Sequence, residues 1–356
     1  MRYKSVRYLI SDVVPSQFLS KDVYMNDRVA LSEGTQLTAT LISKLKMLGV
    51  QYVDIRVPDY AADQIPPTVN RSTVQQQFFS HYDNTLNTIK QAFDNIRYFN
   101  EVPIQQMSEL AYSQLAPLSS AVGVINHLHM VRQQDDYTFH HSINVAIISG
   151  ILGKWLGYSG QELHELILAG LLHDSGKTKI PLEILNKPGK LSPTEMEIMK
   201  VHTIFGYKLI RDLPEISEPI RQGVLQHHER FDGSGYPFQL TSKRIHPFAK
   251  IIAVADMYDA MTSDRVYRNK LTPFTVVEIM VDEMFNKLEP SICAVFLNNV
   301  RDYFTGNIVQ LNDGREAEVI HMGHFLAARP VVKTSDGEFL DLEKEKHISI
   351  INMLDA

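Results

Sequence analysis

The spacing of apolar residues changes character along the chain, and each change marks an element. Near the start, RVALSEGTQLTATLISKLKMLGVQYVDIRV reads as a strand, a turn at Glu33-Gly34, a helix from about Leu37, a Gly49 cap and a strand QYVDIRV. Residues 1–60 are therefore expected to form a small mixed α/β domain. PDYAADQIPPTVNRST, with Pro58, Pro66 and Pro67, reads as a linker. After it, VQQQFFSHYDNTLNTIKQAFDNIRYF carries apolar residues at helical spacing (Phe78 or Phe79, Tyr82, Leu86, Ile89, Phe93, Ile96) opposite a polar face. Such a stripe packs within its own chain or forms a dimer seam, and residues 61–125 read as linker and helical region.

From about residue 103 to 300 nearly everything reads helical: IQQMSELAYSQLAPLSSAVGVINHLHMV, FHHSINVAIISGILGKWLG, QELHELILAGLLHD, SPTEMEIMKVHTIFGYKLIRDL, PIRQGVLQHHER, FAKIIAVADMYDAMT and TPFTVVEIMVDEMF. Ser192 as N-cap, Pro193 at N1 and Glu195 at N3 predict a capping box. The tail differs again. GNIVQLNDG, REAEVIHMG, ARPVVKTSDG and FLDLEKE predict short strands joined by Asn-Asp-Gly and Ser-Asp-Gly turns, a β-rich module over residues 304–356. The expected fold is mainly α, a helical bundle core flanked by a small mixed α/β N-terminal domain and a short β-rich C-terminal module.

Composition narrows the chemistry. A hydrophobic share of 44% and a charged share of 21% over 356 residues are those of an ordinary globular protein. A formal net charge of −6 argues against DNA as a main partner, though local basic clusters around a small anion stay open. With one cysteine, Cys293, no intrachain disulfide and no thiolate metal cluster can form. MRYKSVRYLISDVV has no signal-peptide apolar core, and no window approaches the roughly 18 apolar residues of a membrane span. A cytoplasmic protein is expected.

Ten of the 14 histidines fall between residues 127 and 246. Along the helical region lie His141, His173-Asp174, His202, His227-His228 and Asp256, all N or O donors on or at the end of predicted helices. An imidazole and a carboxylate at the end of the oily helix LILAGLLHD are costly to bury unless a cation compensates them. Asp256 repeats the pattern among Ile251, Ile252, Val254, Ala255 and Met257. His140 is offset by about 100° of helix from His141 and is expected at solvent or behind the ligands.

The series His141…His173-Asp174…Asp256 resembles the H…HD…D signature of the HD metal-dependent phosphohydrolase superfamily. HDSGK, ILNKPGKLSPTEMEIMKVH, HHERFDGSGYP and VADMYDAMTSDRVYR are similar, in order and spacing, to the HD-GYP family of bacterial cyclic-di-GMP phosphodiesterases. The resemblance covers about residues 130–300, so 126–303 is the expected catalytic domain with an HD-type bundle.

The resemblance implies that His141, His173, Asp174 and Asp256 hold one metal, and that Asp174 bridges to a second served by His202, His227 and His228. Which metal each of the adjacent histidines serves stays open. The N/O donor set suits Fe or Mn, with Zn as a further candidate. Asp174 and Lys177 are the residues implied at the reaction itself, and Lys177, Arg265 and Arg268 are implied to meet substrate phosphates. Bare sequence offers a bland reading of each cation: a lysine against a helix dipole, and two surface arginines. Gly235, Tyr236 and Pro237 form the loop implied to shape substrate access or to dock cyclic-di-GMP synthases. One position departs from the family. Where members with a third metal carry Glu four residues before the first ligand histidine, this chain has Tyr137, so two metals are expected.

The resemblance implies hydrolysis of cyclic-di-GMP to pGpG, with GMP as an open second product. The alternatives are a phosphodiesterase for 3′,3′-cGAMP, and a catalytically weak cyclic-dinucleotide sensor or docking module. Degenerate sensors lose ligands, and here every ligand of a two-metal site is present. Nucleotide or alarmone hydrolysis, found in other HD enzymes, sits poorly with the long GYP-type motif.

Overall fold

The computed structural model describes residues 3–10, 13, 17–25, 28–48, 50, 52–58, 71–120, 124–130, 137–263, 271–322 and 329–354. The chain divides into two compact units, Met1–Gln77 and Phe78–Ala356.

In the first unit β1 (Tyr3–Leu9) pairs antiparallel with β4 (Tyr52–Pro58), and β2 (Val23–Met25) with β3 (Arg28–Leu31). Helix α1 (Ala39–Met47) starts at Thr38, whose side chain accepts from the Leu41 amide. Leu19, Leu37, Leu45, Val53 and Ile55 are buried in its core. The expected cap Gly49 lies outside the described residues, as do residues 59–70 of the expected linker. The linker's two ends are regular instead: Pro58 closes β4, and Arg71–Thr73 already belong to the long helix α2 (Arg71–Phe99).

In the second unit the stripe on α2 is spent on intramolecular packing: Phe78, Tyr82, Ile89 and Phe93 are buried in the main apolar core. Helix α3 (Ile104–Leu110) runs through a π turn (Ala111–Leu115) into α4 (Ala116–Leu118). Pro117 has no N–H to donate to the preceding turn, which explains a local irregularity that apolar spacing alone cannot show. After α5 (Val124–Met130) comes α6 (Tyr137–Trp155), buried on all sides from His140 to Gly153 as an apolar-all-round helix must be. It packs on α7 (Gly160–Leu172). A 3₁₀ turn (Ser175–Lys179) and α8 (Leu182–Leu185) lead to α9 (Pro193–Lys200). The capping box expected at Ser192 forms in full, with Ser192 Oγ on the Glu195 amide and the Glu195 carboxylate on the Ser192 amide.

SPTEMEIMKVHTIFGYKLIRDL, read as one helix, is two: α9 and α10 (His202–Ile210), separated at Val201. Then follow α11 (Glu218–Gln226), α12 (Pro247–Thr262), α13 (Pro273–Glu283) and α14 (Pro290–Val300). The tail forms an antiparallel sheet of order β8-β7-β6-β5-β9: β5 (Ile308–Leu311), β6 (Glu316–Met322), β7 (Pro330–Thr334), β8 (Phe339–Asp341) and β9 (Ile350–Leu354). Gly314 and Gly337, with φ of 89° and 91°, close the two turns. Val309, Val319 and Val332 of the sheet share one apolar core with the helices. The protein is mainly α, with an HD-type helical core, a small α/β N-terminal unit and a C-terminal antiparallel sheet.

Candidate metal centre

Five helices of the second unit deliver the ligand-type side chains to one place. His141 comes from the first turns of α6, and His173-Asp174 from the end of α7. His202 opens α10, His227-His228 follow α11, and Asp256 lies on α12. Two sets of donor atoms form, each within 4.8 Å: His141, His173 and Asp256, and Asp174, His202, His227 and His228. All seven residues singled out as ligands meet here.

The imidazole tautomers follow from their outer contacts. His173 Nδ1 lies 2.7 Å from the Gly170 carbonyl, His202 Nδ1 2.8 Å from that of Met199, and His227 Nδ1 2.8 Å from that of Val224. A carbonyl only accepts, so each Nδ1 carries the proton and each Nε2 turns a lone pair inward. His141 Nδ1 donates instead to Asp259 Oδ2 at 2.7 Å.

Asp174 sits between the two sets. Its Oδ2 lies 3.4 Å from His141 Nε2 and 3.3 Å from His173 Nε2, its Oδ1 3.3 Å from His202 Nε2 and 3.9 Å from His227 Nε2. Oδ1 is buried and has no hydrogen-bond donor. His202 and His227 place their Nε2 lone pairs 3.4 Å apart and both toward it. A buried anionic oxygen facing bare lone pairs is strongly unfavourable, and a divalent cation among them removes the conflict. The residues present thus fit a metal.

The ionisation pattern has the same cause. Burial would raise the Asp174 carboxyl, but His173, Lys177 and His141 hold it well below the usual range. Burial would likewise depress His141, yet Tyr137 and the carboxylates of Asp174, Asp256 and Asp259 keep it well above an ordinary histidine. A proton on His141 is how the metal-free cluster balances its acids, and a cation takes that place. On the other side, burial holds His227 well below 6.5 and His228 down to about 3. His228 is therefore neutral in the folded chain between pH 6.5 and 4, and His227 resists protonation in the same direction, while unfolded histidines take up protons there. A depressed folded pKa gives stability that is present above 6.5 and lost as pH falls. His141, raised when folded, opposes this only at the top of the window and adds no slope once unfolded histidine is itself protonated, about a unit below 6.5. The chelated protein is expected to melt at progressively lower temperature from pH 6.5 to 4.5, checked by thermal scans in EDTA.

The adjacent histidines divide their contacts. His227 points Nε2 at Asp174, whereas His228 Nδ1 lies 3.7 Å from Asp256 Oδ2. Lys177, on the 3₁₀ turn, places Nζ 2.5 Å from Asp174 Oδ2, so it serves the carboxylate rather than a helix dipole. Tyr137 stacks its ring on His141, 5.5 Å between centroids and 14° between planes. Arg265 and Arg268 lie outside the described residues.

The GYP loop is tied back onto the histidine pair. The buried Glu229 carboxylate accepts from the amides of Phe238 and Leu240 at 2.7 and 2.8 Å, and the Tyr236 amide donates to the His228 carbonyl at 3.1 Å. A Cβ on Gly235 would stand 2.4 Å from the Arg230 nitrogen and 2.5 Å from the His228 oxygen, so only glycine fits. The Tyr236 ring thereby comes 4.7 Å from that of His228, with Pro237 following.

Three contributors were not singled out in the sequence: Asp259, Asn144 and Glu229. Asp256 and Asp259, like His141 and Asn144, are three residues apart and share a helix face, a spacing that was available. His140 is buried, not at solvent, with Nδ1 3.1 Å from the Tyr82 hydroxyl. Other histidines of the dense stretch serve elsewhere, as His246 does in capping α12.

The HD domain family matches residues 126–292. Residues 126–292 are an HD domain of the HD-GYP family. A cyclic di-GMP phosphodiesterase of Pseudomonas aeruginosa is 33% identical over 244 residues, 67% of this chain and 59% of that protein. A cyclic di-GMP phosphodiesterase of Thermotoga maritima is 38% identical over 49% of this chain and 48% of its own length. A 3′3′-cGAMP-specific phosphodiesterase of Vibrio cholerae is 33% identical over 51% of this chain and 42% of its own. The chain thus spans between two fifths and three fifths of these relatives. An HDG"Y"P protein from Bdellovibrio bacteriovorus shares the fold, with a TM-score of 0.54 at 17% identity over 83% of this chain and 99% of that one. HD-domain phosphohydrolases depend on metal, and this HD-GYP domain gathers a His/Asp cluster able to bind it.

Proposed function

We propose that this chain is a phosphodiesterase that opens a cyclic dinucleotide, cyclic-di-GMP to pGpG, at a two-metal site, with GMP left open as a second product. The observation that carries the reading is Asp174, whose two oxygens each face their own set of imidazoles. Relatives named for cyclic di-GMP support the substrate, and those named for 3′3′-cGAMP supply the second reading. His141, His173, Asp174 and Asp256 would hold one ion, and Asp174, His202, His227 and His228 the other. Fe or Mn suits such N/O donors, with Zn next. Two ions at such a site supply charge neutralisation at the phosphate and acidify water for attack.

The chain's own residues position and shield. Asp174 joins the two sets, and the histidines are pre-oriented by their Nδ1 contacts. Lys177 brings a cation to the mouth of the cluster, where a phosphate oxygen would exchange for part of its contact with Asp174. Burial would lower its ammonium, but Asp174 keeps it raised, so the charge is retained. Arg265 and Arg268 complete the proposed phosphate contacts. Gly235, Tyr236 and Pro237 wall the side at His228 and are the surface proposed for a base or for a docked synthase, with exposed Phe238 beside them. Tyr137 in place of Glu goes with a two-ion site. A homodimer, if formed, uses a face other than the buried stripe of α2. No helix among the described residues is long and apolar enough to cross a membrane. A bacterial cytoplasmic location goes with this substrate.

The test is protein stripped by chelator, reloaded anaerobically with Fe(II), Mn(II) or Zn(II), and given cyclic-di-GMP or 3′,3′-cGAMP with products separated by chromatography. Metal-dependent release of pGpG is expected. Inertness toward both substrates under every metal overturns the enzyme reading and leaves the sensor, and faster turnover of 3′,3′-cGAMP reassigns the substrate.

A further inference from the structure

The outer contact of His141 continues well beyond Asp259. Asp259 Oδ1 accepts from Asn144 Nδ2 at 2.7 Å and from Ser263 Oγ at 3.0 Å. Asn144 Oδ1 in turn accepts from the hydroxyl of Tyr82 at 2.7 Å. Tyr82 is fully buried on α2, its ring stacked on His140 at 5.7 Å and 15° between planes. Burial, with Asp259 and Asp83, holds its phenol well above 10, so it remains an O–H donor. Tyr82 lies 44 residues before the segment that matches the HD domain, which starts at 126.

A side-chain amide has two nearly isosteric ends, one accepting and one donating. Asp259 takes the NH₂ end of Asn144, and the Tyr82 hydroxyl donates to the oxygen end and anchors it. Turned over, the amide would set its oxygen against the carboxylate and lose the O–H donation from Tyr82. Asp259 held from one side by Asn144 and Ser263 keeps Oδ2 on His141 Nδ1–H, and so keeps the His141 Nε2 lone pair turned into the site.

We infer that Tyr82 of α2 is a positioning residue for the metal site, fixing the Asn144 amide and through Asp259 the orientation of the ligand His141. The inference rests on the two-metal reading above and deepens it, for it makes a helix outside the HD domain part of the centre. It also limits the effect to one side: His202 and His227 have their own backbone contacts and are untouched by this chain of bonds.

The test is the full-length chain carrying Tyr82→Phe, which removes one oxygen and keeps the ring, with Asn144→Ala as a variant that reaches Asp259 without altering α2. Each protein is chelated, checked by circular dichroism, and titrated with Mn(II) under equilibrium dialysis. The expected result is wild-type helicity with about tenfold weaker binding of one of two equivalents in Tyr82→Phe, and an equal or larger loss in Asn144→Ala. On cyclic-di-GMP at subsaturating metal, kcat falls with KM unchanged, and added Mn(II) restores it. Two equivalents bound by Tyr82→Phe as tightly as by wild type overturn the inference and leave the two-metal reading standing. Wild type that itself binds no Mn(II) overturns both. If Tyr82→Phe misfolds, wild-type binding by Asn144→Ala alone overturns it.

Discussion

Asp174→Asn is expected to abolish phosphodiester cleavage, lowering kcat/KM by about a thousandfold or more, while leaving the fold intact. The carboxylate gives one anionic oxygen to His141 and His173 and the other to His202 and His227. An amide replaces one oxygen by NH₂, so it can serve one set at most and adds no charge to offset a cation. In the metal-free chain the same change relieves a conflict. NH₂ facing the Nε2 atoms of His202 and His227 donates where Asp174 Oδ1 met bare lone pairs and no donor. Lys177 loses its partner, but its side chain is 21% exposed and can turn to water. That gain is set against the loss of the Asp174 charge that His173, Lys177 and His141 favour, so the chelated variant should melt close to chelated wild type. Metal should raise the melting temperature of wild type alone, because only a site that binds gains from mass action. Two ions retained, with activity within tenfold of wild type, would remove Asp174 from the centre of the mechanism.

The fold and the site were legible to different depths for physical reasons. Two ligand positions declare themselves because polar groups on apolar helices are expensive: His173-Asp174 ends one such helix and Asp256 lies within another, whereas His141, His202 and His227-His228 were legible through the family resemblance. Turns and caps are equally local: Asn312-Asp313-Gly314, Ser335-Asp336-Gly337 and the Ser192 box each formed where their residue types demand. The break at Val201 is not local. KVHT has no Gly or Pro, and the helix divides there while His202 opens the next one against Asp174. β9 was missed because IINML is short and lacks an alternating pattern. The hydrogen-bonded series Tyr82–Asn144–Asp259 joins α2, α6 and α12 across 177 positions of chain, from 82 to 259, and composition carries no trace of such a meeting. What sequence does carry is the i,i+3 spacing of its polar residues on otherwise oily helices.

Gly176→Ala is the second change with a large expected effect, and it acts through backbone alone. In HDSGK the chain turns directly after Asp174, and Gly176 presses against the start of α10. A Cβ there would stand 1.9 Å from the His202 carbonyl oxygen and 2.4 Å from the Gly206 nitrogen. Neither neighbour is a side chain that can swing aside. Gly206 is itself hemmed in, its own Cβ position being 2.8 Å from Val224 Cγ1. One methyl group must therefore push α10 away from the turn, and His202 moves with it, opening the 3.3 Å approach of its Nε2 to Asp174. Overpacking of this kind costs at least about 3 kcal/mol when rigid backbone must shift. A fall of several degrees in melting temperature is expected, together with loss of the metal equivalent that depends on His202. The other equivalent, on His141, His173 and Asp256, should survive, because none of those side chains is carried by α10. Metal content by mass spectrometry beside a thermal scan checks both parts. An unchanged melting temperature with two ions bound would mean that the turn and α10 do not meet as closely as this geometry requires. Loss of both ions would instead show that Asp174 cannot hold its first set once the second has moved.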